Sequence, residues 1–591
     1  MFQLRYVIIA SLLLAACAHA PQQATSTDAD GTDASSQSSD EQNLADQQGI
    51  AGQQAMANMP LPNIELTSDL LYQFLLTDIA SQRGESTLAV QGSVDLAKKT
   101  RDPRLAMRAA HMAIQAGDMD NAIEALKIWR ETDPASVMPM RLLATALLRF
   151  GKIEESRAEF INVLKYDEAH AGKTFIQIYQ MLASYPDKDA ALKLMQDLTA
   201  LYPKVAEAHW SVAELAHARD DDMQALKEAG LAHELRPEWD AAVSLQAELL
   251  QKSDPQQGLD VLSNYLSRYP KARDIRLQYA RALLEQKKYK ESRDQFQRLS
   301  DEAPDNPDMA FAIALISLQM NDLQLAEKQL MESLEKGKKD QDTVQYYLGQ
   351  LNEAKKNDEE AIAHYREVKD GEYEFPARVR TAYLISKQGK LAEARDLLHQ
   401  IQPANNQQRA QLALIESQLL READRNEEAY QLLQQALDKQ PNNPDLLYGA
   451  GMMADKVGKT DEFEKLMRKL IQIKPDHAQA YNALGYGLLE RNERIPEAME
   501  LVQKAFQLAP DDTAIMDSVG WGYYRTGKLD DSVKMLRRAY AGNPDPEIAA
   551  HLGEVLWVKG DKTEAKKIWQ DSLKTNPGSA PLQAVIRKFD P

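Results

Sequence analysis

The stretch that decides the fold is residues 513–544, TAIMDSVGWGYYRTGKLDDSVKMLRRAYAGNP. Gly520 is followed by Ser532 after 12 residues and by Leu536 after 4 more. Residues four apart share a face of a helix, so Ser532 and Leu536 lie on one side of the same helix. Small residues in mid-helix let two backbones approach closely, and the glycine at Gly527 favours a turn between them. The stretch therefore predicts two antiparallel helices closed by a tight turn.

The same spacing recurs along most of the chain, marked by proline at the end of each unit. A proline stops the second helix of a pair because it lacks an amide hydrogen and clashes with the preceding turn. Intervals of 33 to 35 residues, or multiples of about 34, separate the prolines at 134, 203, 237, 270, 304, 441, 475, 510, 544 and 577. A fixed period of this length is the signature of a repeat array.

These features resemble the tetratricopeptide repeat, whose period and small, small, large, proline pattern the residues match. The resemblance implies an all-α, right-handed superhelical solenoid of about fifteen helix pairs, with a concave inner groove. We expect N-terminal repeats, central repeats, and C-terminal repeats with a cap. Their predicted ranges are 64–304, 305–443 and 444–591.

The first residues are typical of an exported lipoprotein. Residues 6–16 form an apolar run that is too short to span a bilayer, and Cys17 is the single cysteine of the chain. The pattern resembles a bacterial lipoprotein box, with residues 1–16 as signal peptide and Cys17 as the lipidated residue. An ordinary secretory signal is the alternative. The non-acidic Ala18 favours the outer over the inner membrane, and we expect the chain to face the periplasm.

Residues 17–63 are rich in Gln, Ser, Thr, Asp, Ala and Gly and contain few large apolar side chains. Such a composition cannot bury a core, so the segment is predicted to be a disordered tether to the lipid anchor. The net charge of −19 argues against nucleic-acid binding and against adhesion to anionic lipid. Membrane attachment is therefore expected only through the lipid.

No pattern typical of an enzyme appears in the sequence. The ten histidines are scattered, the cysteine is solitary, and paired acids stand at turns and helix starts, where they suit the helix dipole. We therefore predict no catalytic residue, no metal site and no cofactor.

Candidate binding residues follow from the resemblance, since the first helix of each tetratricopeptide pair lines the groove. Aromatic residues and methionine in a groove are typical anchors for a protein partner. The positions that match are Tyr448, Met452, Asn482, Tyr486, Asp517, Trp521, Tyr524, Arg525 and Trp557. Alternatively, some of these side chains pack between repeats.

A second candidate surface lies at the start of the array. Leu70, Leu71, Phe74 and Leu75 form an amphipathic stripe. This segment either caps the array as its first helix or presents an apolar face to a partner helix.

As a whole, the chain resembles outer-membrane scaffold lipoproteins of the type that bind a periplasmic carboxy-terminal-processing protease in Pseudomonas. The resemblance implies an adaptor that brings the protease together with its cell-wall hydrolase substrates and promotes their proteolysis. A scaffold for an exopolysaccharide-export or peptidoglycan-synthase complex is the alternative. The residues themselves indicate only a tethered, protein-binding groove.

Overall fold

The structure, a computed structural model, describes residue 62 and residues 64 to 589. Every regular element among these residues is helical: thirty-one α-helices and one 3₁₀ turn at Glu168–His170. The helices form fifteen consecutive pairs followed by a single last helix, which confirms the predicted all-α repeat architecture. The predicted signal peptide, Cys17 and nearly all of the tether lie outside the described residues.

The described residues divide into two compact units, one ending at Lys338 and the other beginning at Lys339. In the N-terminal unit the helices are α1 Ser68–Gln82, α2 Ser86–Thr100, α3 Pro103–Ala116, α4 Met119–Thr132, α5 Val137–Arg149, α6 Ile153–Tyr166, α7 Ala171–Leu182, α8 Lys188–Thr199, α9 Ala206–His217, α10 Asp222–Leu235, α11 Asp240–Ser253, α12 Pro255–Arg268, α13 Arg273–Glu285, α14 Tyr289–Glu302, α15 Pro307–Gln319 and α16 Leu323–Glu335.

In the C-terminal unit the helices are α17 Gln341–Ala354, α18 Asp358–Glu367, α19 Glu374–Lys387, α20 Leu391–His399, α21 Asn406–Glu422, α22 Asn426–Lys439, α23 Pro444–Lys456, α24 Thr460–Ile473, α25 Ala478–Arg491, α26 Ile495–Leu508, α27 Thr513–Arg525, α28 Leu529–Gly542, α29 Pro546–Lys559, α30 Lys562–Thr575 and α31 Ala580–Phe589. Odd-numbered helices up to α29 are the first helices of their pairs, and even-numbered helices are the second. None of the described helices combines the length and the apolar character that crossing a membrane needs.

Local sequence explains where these helices begin and end. Helix α27 starts after Asp512, whose carboxylate accepts the amide hydrogens of Ala514 at 2.9 Å and Ile515 at 3.2 Å. This satisfies two of the amide groups that a helix start leaves without a partner. The turn after α27 passes through Gly527 with φ of +78°, a conformation that a side chain disfavours.

The small-small-large pattern closes each pair. A Cβ on Gly520 would lie 2.7 Å from Cγ of Leu536, so glycine is what allows α27 and α28 to come this close. The Ser532 hydroxyl donates to the Gly520 carbonyl oxygen at 2.7 Å. Ser292 donates to the carbonyl of Ala280 in the same way. The second small residue therefore has two roles. It allows the two helices to pack closely, and its hydroxyl links them by a hydrogen bond.

One pair departs from this arrangement. Helix α7 packs more extensively against α9, the first helix of the next pair, than against its own partner α8. Phe175 and Ile178 of α7 are buried in the same cluster as Val212 and Leu215 of α9. First helices of neighbouring pairs are therefore in close contact at this point of the N-terminal unit.

The two ends of the array differ. Helix α1 packs on α2 as the first helix of the first pair, but Leu71, Phe74 and Leu75 are exposed and Leu70 is half-buried. Most of the apolar stripe is thus open to solvent, while Thr77 and Ala80 are buried. At the other end α31 packs on α29 and buries Leu582 and Val585, as a capping helix does.

Candidate functional site

The nine predicted groove residues all lie on first helices of the C-terminal unit. Tyr448 and Met452 belong to α23, Asn482 and Tyr486 to α25, four residues to α27, and Trp557 to α29. Helix α25 packs against α27, and α27 packs against α29. We call the surface formed by the first helices α23, α25, α27 and α29, which carries all nine residues, the C-terminal face.

A stack of rings forms the centre of the C-terminal face. The Trp521 ring lies parallel to that of His551, with 4.1 Å between centroids and 21° between planes. Tyr524 and Tyr486 extend the cluster, with centroids 4.9 Å from Trp521 and 6.1 Å from His551 respectively. Three successive repeats thus contribute to one aromatic cluster, which was not evident from any single repeat.

His551 was not predicted from the sequence, although it organises the cluster. It stands 34 residues after Asp517, one full repeat later, and its Nδ1 lies 2.9 Å from Oδ2 of Asp517. Both side chains are buried. Burial by itself lowers the pKa of His551, but the Asp517 carboxylate outweighs it and raises that pKa above the ordinary value. The repeat spacing could have revealed this contact, because a separation of 34 residues places Asp517 and His551 at equivalent positions of adjacent helix pairs.

Carboxylates border the cluster. Tyr486 donates its hydroxyl to Glu547 at 2.8 Å, and burial together with Glu547 and Glu490 raises the pKa of Tyr486. Tyr524 donates to Glu554 at 3.2 Å. Glu554 is neutralised by Lys588, whereas Glu490 and Glu547 form no ion pair within the described part of the chain. The C-terminal face therefore keeps two carboxylates without an ion-pair partner in the described chain, and both also raise the pKa of His551.

Three polar atoms on this face are shielded from solvent and have no hydrogen-bond partner among the described residues. They are Oδ1 of Asn482, Nε1 of Trp521 and Nε of Arg525. A shielded polar atom without a partner costs about 1–3 kcal/mol.

The predicted residues differ in solvent exposure, and therefore in how accessible they are to a partner. Met452 is 39% exposed, and Tyr486, Tyr524 and Arg525 are half-buried. Asp517 and Trp521 are each only 6% exposed. In the structure these two pack between repeats and support the face from beneath, which is the alternative considered above. Their contribution to partner binding stays a prediction.

The remaining residues lie at the edges of the face. Tyr448 and Asn482 are half-buried, and the Tyr448 ring lies 5.5 Å from that of His477. Trp557 stacks on Trp569 and lies beside Phe589 of the capping helix. In the described part of the chain, no three His, Cys, Asp or Glu side chains are placed to hold a metal ion.

Family comparisons agree with this arrangement. Models described as tetratricopeptide repeat match residues 249–316 and 420–485, and 311–375 and 520–581. The TPR repeat-containing protein PA4667 of Pseudomonas aeruginosa is 34% identical over 498 residues, which span 83% of this chain and 82% of that relative. The TPR repeat-containing protein YpiA of Bacillus subtilis is 26% identical over 221 residues, 37% of this chain and 51% of the relative.

Solved structures with a similar fold include the thermophilic TPR protein TTC0263 of Thermus thermophilus, with 22% identity and a TM-score of 0.28. It matches 30% of this chain and 98% of its own. Residues 41 to the end of MamA from Desulfovibrio magneticus match with 21% identity and a TM-score of 0.25, covering 29% of this chain and 97% of MamA. These similarities concern the fold alone.

Proposed function

The chain belongs to the tetratricopeptide-repeat proteins, and from this premise we propose that it is a lipid-anchored adaptor that joins a protease to its protein substrates. Tetratricopeptide repeats bind other proteins, so the coarse role of interaction scaffold follows from the family. The finer role assigns a periplasmic carboxy-terminal-processing protease and cell-wall hydrolases as partners, at the outer membrane.

The observation that carries the binding role is the C-terminal face. Tyr486 and the exposed Met452 offer apolar contact area, and Glu490 and Glu547 add negative charge without an ion-pair partner in the described residues. Aromatic residues and methionine are typical anchors of interfaces, and complementary charge selects the partner and speeds its association. The face fits a segment with apolar and basic side chains.

The adaptor role is supported by the division of the described chain into two compact units, each with its own first-helix surface. A protein that binds two partners through separate surfaces turns their encounter into an intramolecular event. Effective concentrations in the millimolar range follow from such tethering. Proteolysis of the substrate would then be faster without the adaptor performing any chemistry itself.

The first experiment that tests this role is photocrosslinking in cells. A benzoylphenylalanine placed at Met452, which is exposed on the C-terminal face, is expected to capture the protease or one of its hydrolase substrates. Immunoblotting and mass spectrometry of the adduct identify the partner. The same photoreactive residue at Lys504, which is exposed on the second helix α26, serves as the matched control.

An adduct with an export porin or a peptidoglycan synthase in place of the protease would contradict the adaptor role and favour the scaffold alternative. Equal labelling from Met452 and Lys504 would show that the C-terminal face is not a binding surface. With the purified components, the adaptor role requires that the full-length protein accelerates cleavage of the captured hydrolase by the protease.

The membrane anchor is tested separately at Cys17, which lies outside the described residues. Growth with an alkyne-tagged palmitate is expected to label the protein, and Cys17→Ser is expected to abolish the label because no other cysteine exists. Density-gradient separation of the membranes then shows whether the labelled protein accompanies the outer membrane. Undiminished label in the Cys17→Ser variant would contradict the anchor.

A further inference from the structure

A second aromatic cluster lies in the N-terminal unit, on the first helices α7 and α9 and at the residue that precedes α11. The Trp210 ring has its centroid 5.0 Å from that of Tyr179 and 5.6 Å from that of Trp239. All three rings are half-buried, so part of each one is open to solvent. The close packing of α7 on α9 brings Tyr179 against Trp210, a contact that the repeat spacing does not predict.

Two carboxylates adjoin these rings. Glu214, half-buried on α9, accepts the Tyr179 hydroxyl at 3.4 Å, and this contact together with burial raises the pKa of Tyr179 to about 12. The pKa of Glu214 is itself raised, first by burial and then by the charge of Glu248 on α11. Glu214 is thus half-buried and feels the negative charge of the exposed Glu248, which costs stability unless a cation joins them.

The nearby His217 acts on Glu214 in the opposite sense to Glu248, because its charge lowers the pKa of this carboxyl. Neither Glu214 nor Glu248 forms an ion pair within residues 64 to 589, and the neighbouring His217 is engaged with Asp222 at 2.7 Å. Arg281, on the next first helix α13, forms no ion pair with either carboxylate in the same range.

The guanidinium of Arg236 lies over the Trp239 ring, 5.3 Å from its centroid, and pairs with Glu207 at 2.7 Å. At the other end of the cluster, beside Tyr179 and Trp210, Glu214 has no ion-pair partner in the described part of the chain.

Elsewhere in the chain the same groups hold an arginine. Tyr365 donates to Glu353 at 2.6 Å, as Tyr179 does to Glu214, and Nε of Arg380 donates to Glu353 at 2.8 Å.

A two-carboxylate arrangement is completed in the same way. Nε of Arg395 lies 2.7 Å from Glu416, and another nitrogen of its guanidinium lies 3.8 Å from Glu428. In this protein, arginine is therefore the side chain that pairs with a glutamate next to tyrosine and with two neighbouring glutamates.

We propose that Tyr179, Trp210, Glu214 and Glu248 form a binding site for an arginine side chain of a partner protein. A guanidinium is planar, so it can stack on the Trp210 ring and still donate hydrogen bonds to a carboxylate. Lysine offers only a compact, strongly hydrated charge and fits the site less well.

The test follows the Trp210 resonance directly. Full-length protein labelled with 5-fluorotryptophan carries six reporters, and the Trp210 signal is assigned through the Trp210→Phe variant. Titration with the peptide acetyl-Leu-Arg-Ala-amide is expected to shift this fluorine signal. The citrulline analogue, which has the same shape without the charge, is expected to shift it at least about tenfold less at equal concentration, because a charge-assisted hydrogen bond is lost.

Protein variants give the matched control. Glu214→Gln is expected to raise the peptide concentration for half-maximal shift about tenfold and to leave the unfolding temperature equal or higher, since it removes a repulsion. Glu234→Gln makes the same charge change at an exposed position of α10 and should leave the titration unchanged.

An unmoved Trp210 signal, an equal response to citrulline, or an equal effect of Glu234→Gln would overturn the proposal. The Trp521 signal in the same spectra reports on the C-terminal face. Failure of the arginine site and failure of the proposed function are therefore distinguishable.

Discussion

Replacing Gly553 by alanine is expected to lower the free energy of unfolding of the C-terminal unit by about 2 kcal/mol. The added Cβ would lie 2.6 Å from Cδ1 of Trp569 and closer still to Nε1 and Cε2 of the same ring. The Trp569 indole is 1% exposed and packs against the rings of both Trp557 and Phe589, so the ring has little room to move. The clash outweighs the helix propensity that alanine gains over glycine, about 1 kcal/mol. Urea unfolding followed by tryptophan fluorescence measures the difference.

Gly451→Ala is the matched control for this prediction. Gly451 occupies the corresponding position of α23, but its Cβ would meet the terminal Cε methyl of Met467, with Leu466 Cβ next at 3.6 Å. A methionine end changes rotamer easily, whereas an indole in a stack does not. We expect this variant to stay within about 0.5 kcal/mol of the wild type. Equal losses in the free energy of unfolding at both glycines would show that the rigidity of the neighbouring side chain, Trp569 or Met467, does not determine the effect.

The second large effect is expected from Asp517→Ala, which removes the partner of the buried His551. Breaking a buried ion pair by deleting one member typically costs about 3–5 kcal/mol, because the remaining charge is left uncompensated. We expect a loss of about 3 kcal/mol near pH 6, measured by urea unfolding. At high pH, where His551 is neutral, the loss is expected to be smaller.

The sign of the pH dependence follows from the direction of the shift. Because Asp517 holds the pKa of His551 in the folded protein above the unfolded value of about 6.5, the pair contributes fully below pH 6.5. Its contribution is lost as the pH rises through the folded pKa. Asp517→Asn keeps a hydrogen-bonding group without the charge and should reduce this dependence, leaving the smaller effects of Glu547 and Glu490 on the pKa of His551.

The control for this prediction is a direct titration of the histidine. Following the His551 ring by NMR in wild type and Asp517→Asn should show a pKa above 6.5 that falls in the variant. A His551 pKa at or below 6.5 in the wild type would contradict the assignment of the charge to this pair. The wild-type stability should then show no decline over the pH range above 6.5.

The Asp517 variants also connect the stability of the C-terminal unit to partner binding on the C-terminal face. The ring of His551 stacks on Trp521, so the buried pair holds the aromatic cluster in place beneath Tyr486 and Tyr524. A preorganised surface loses less entropy when a partner docks. The loss of Asp517 is therefore expected to weaken partner capture from Met452 even in the fraction of protein that remains folded.

The repeat architecture could be predicted because each helix pair is specified locally. The spacing of Gly520, Ser532 and Leu536 predicts two closely packed helices, and Gly527 predicts the turn between them. Each of these signals acts within one repeat through backbone sterics or capping, so no tertiary information is needed to detect them. The first-helix positions of the C-terminal face followed from the same register.

Which of those positions remain available to a partner could not be predicted in this way. Asp517 and Trp521 occupy positions equivalent to Asn482 and Tyr486, yet His551 of the next repeat covers them. The pairing depends on the identity of a side chain 34 residues away, and that identity differs from repeat to repeat. Burial in a repeat array is thus decided between neighbours.

The sequence by itself determined the period of the array, the helix-pair architecture and the absence of a conspicuous catalytic pattern, because these are local properties repeated many times. Only the tertiary structure decided that α7 packs on α9, that most of the stripe of α1 is open to solvent, and that Glu214 accepts the Tyr179 hydroxyl without an ion-pair partner in the described chain. The physical reason is that contacts between repeats depend on the packing of individual side chains across an interface. A sequence period specifies where such interfaces lie, and the side chains that meet there decide which groups are satisfied and which are left for a partner.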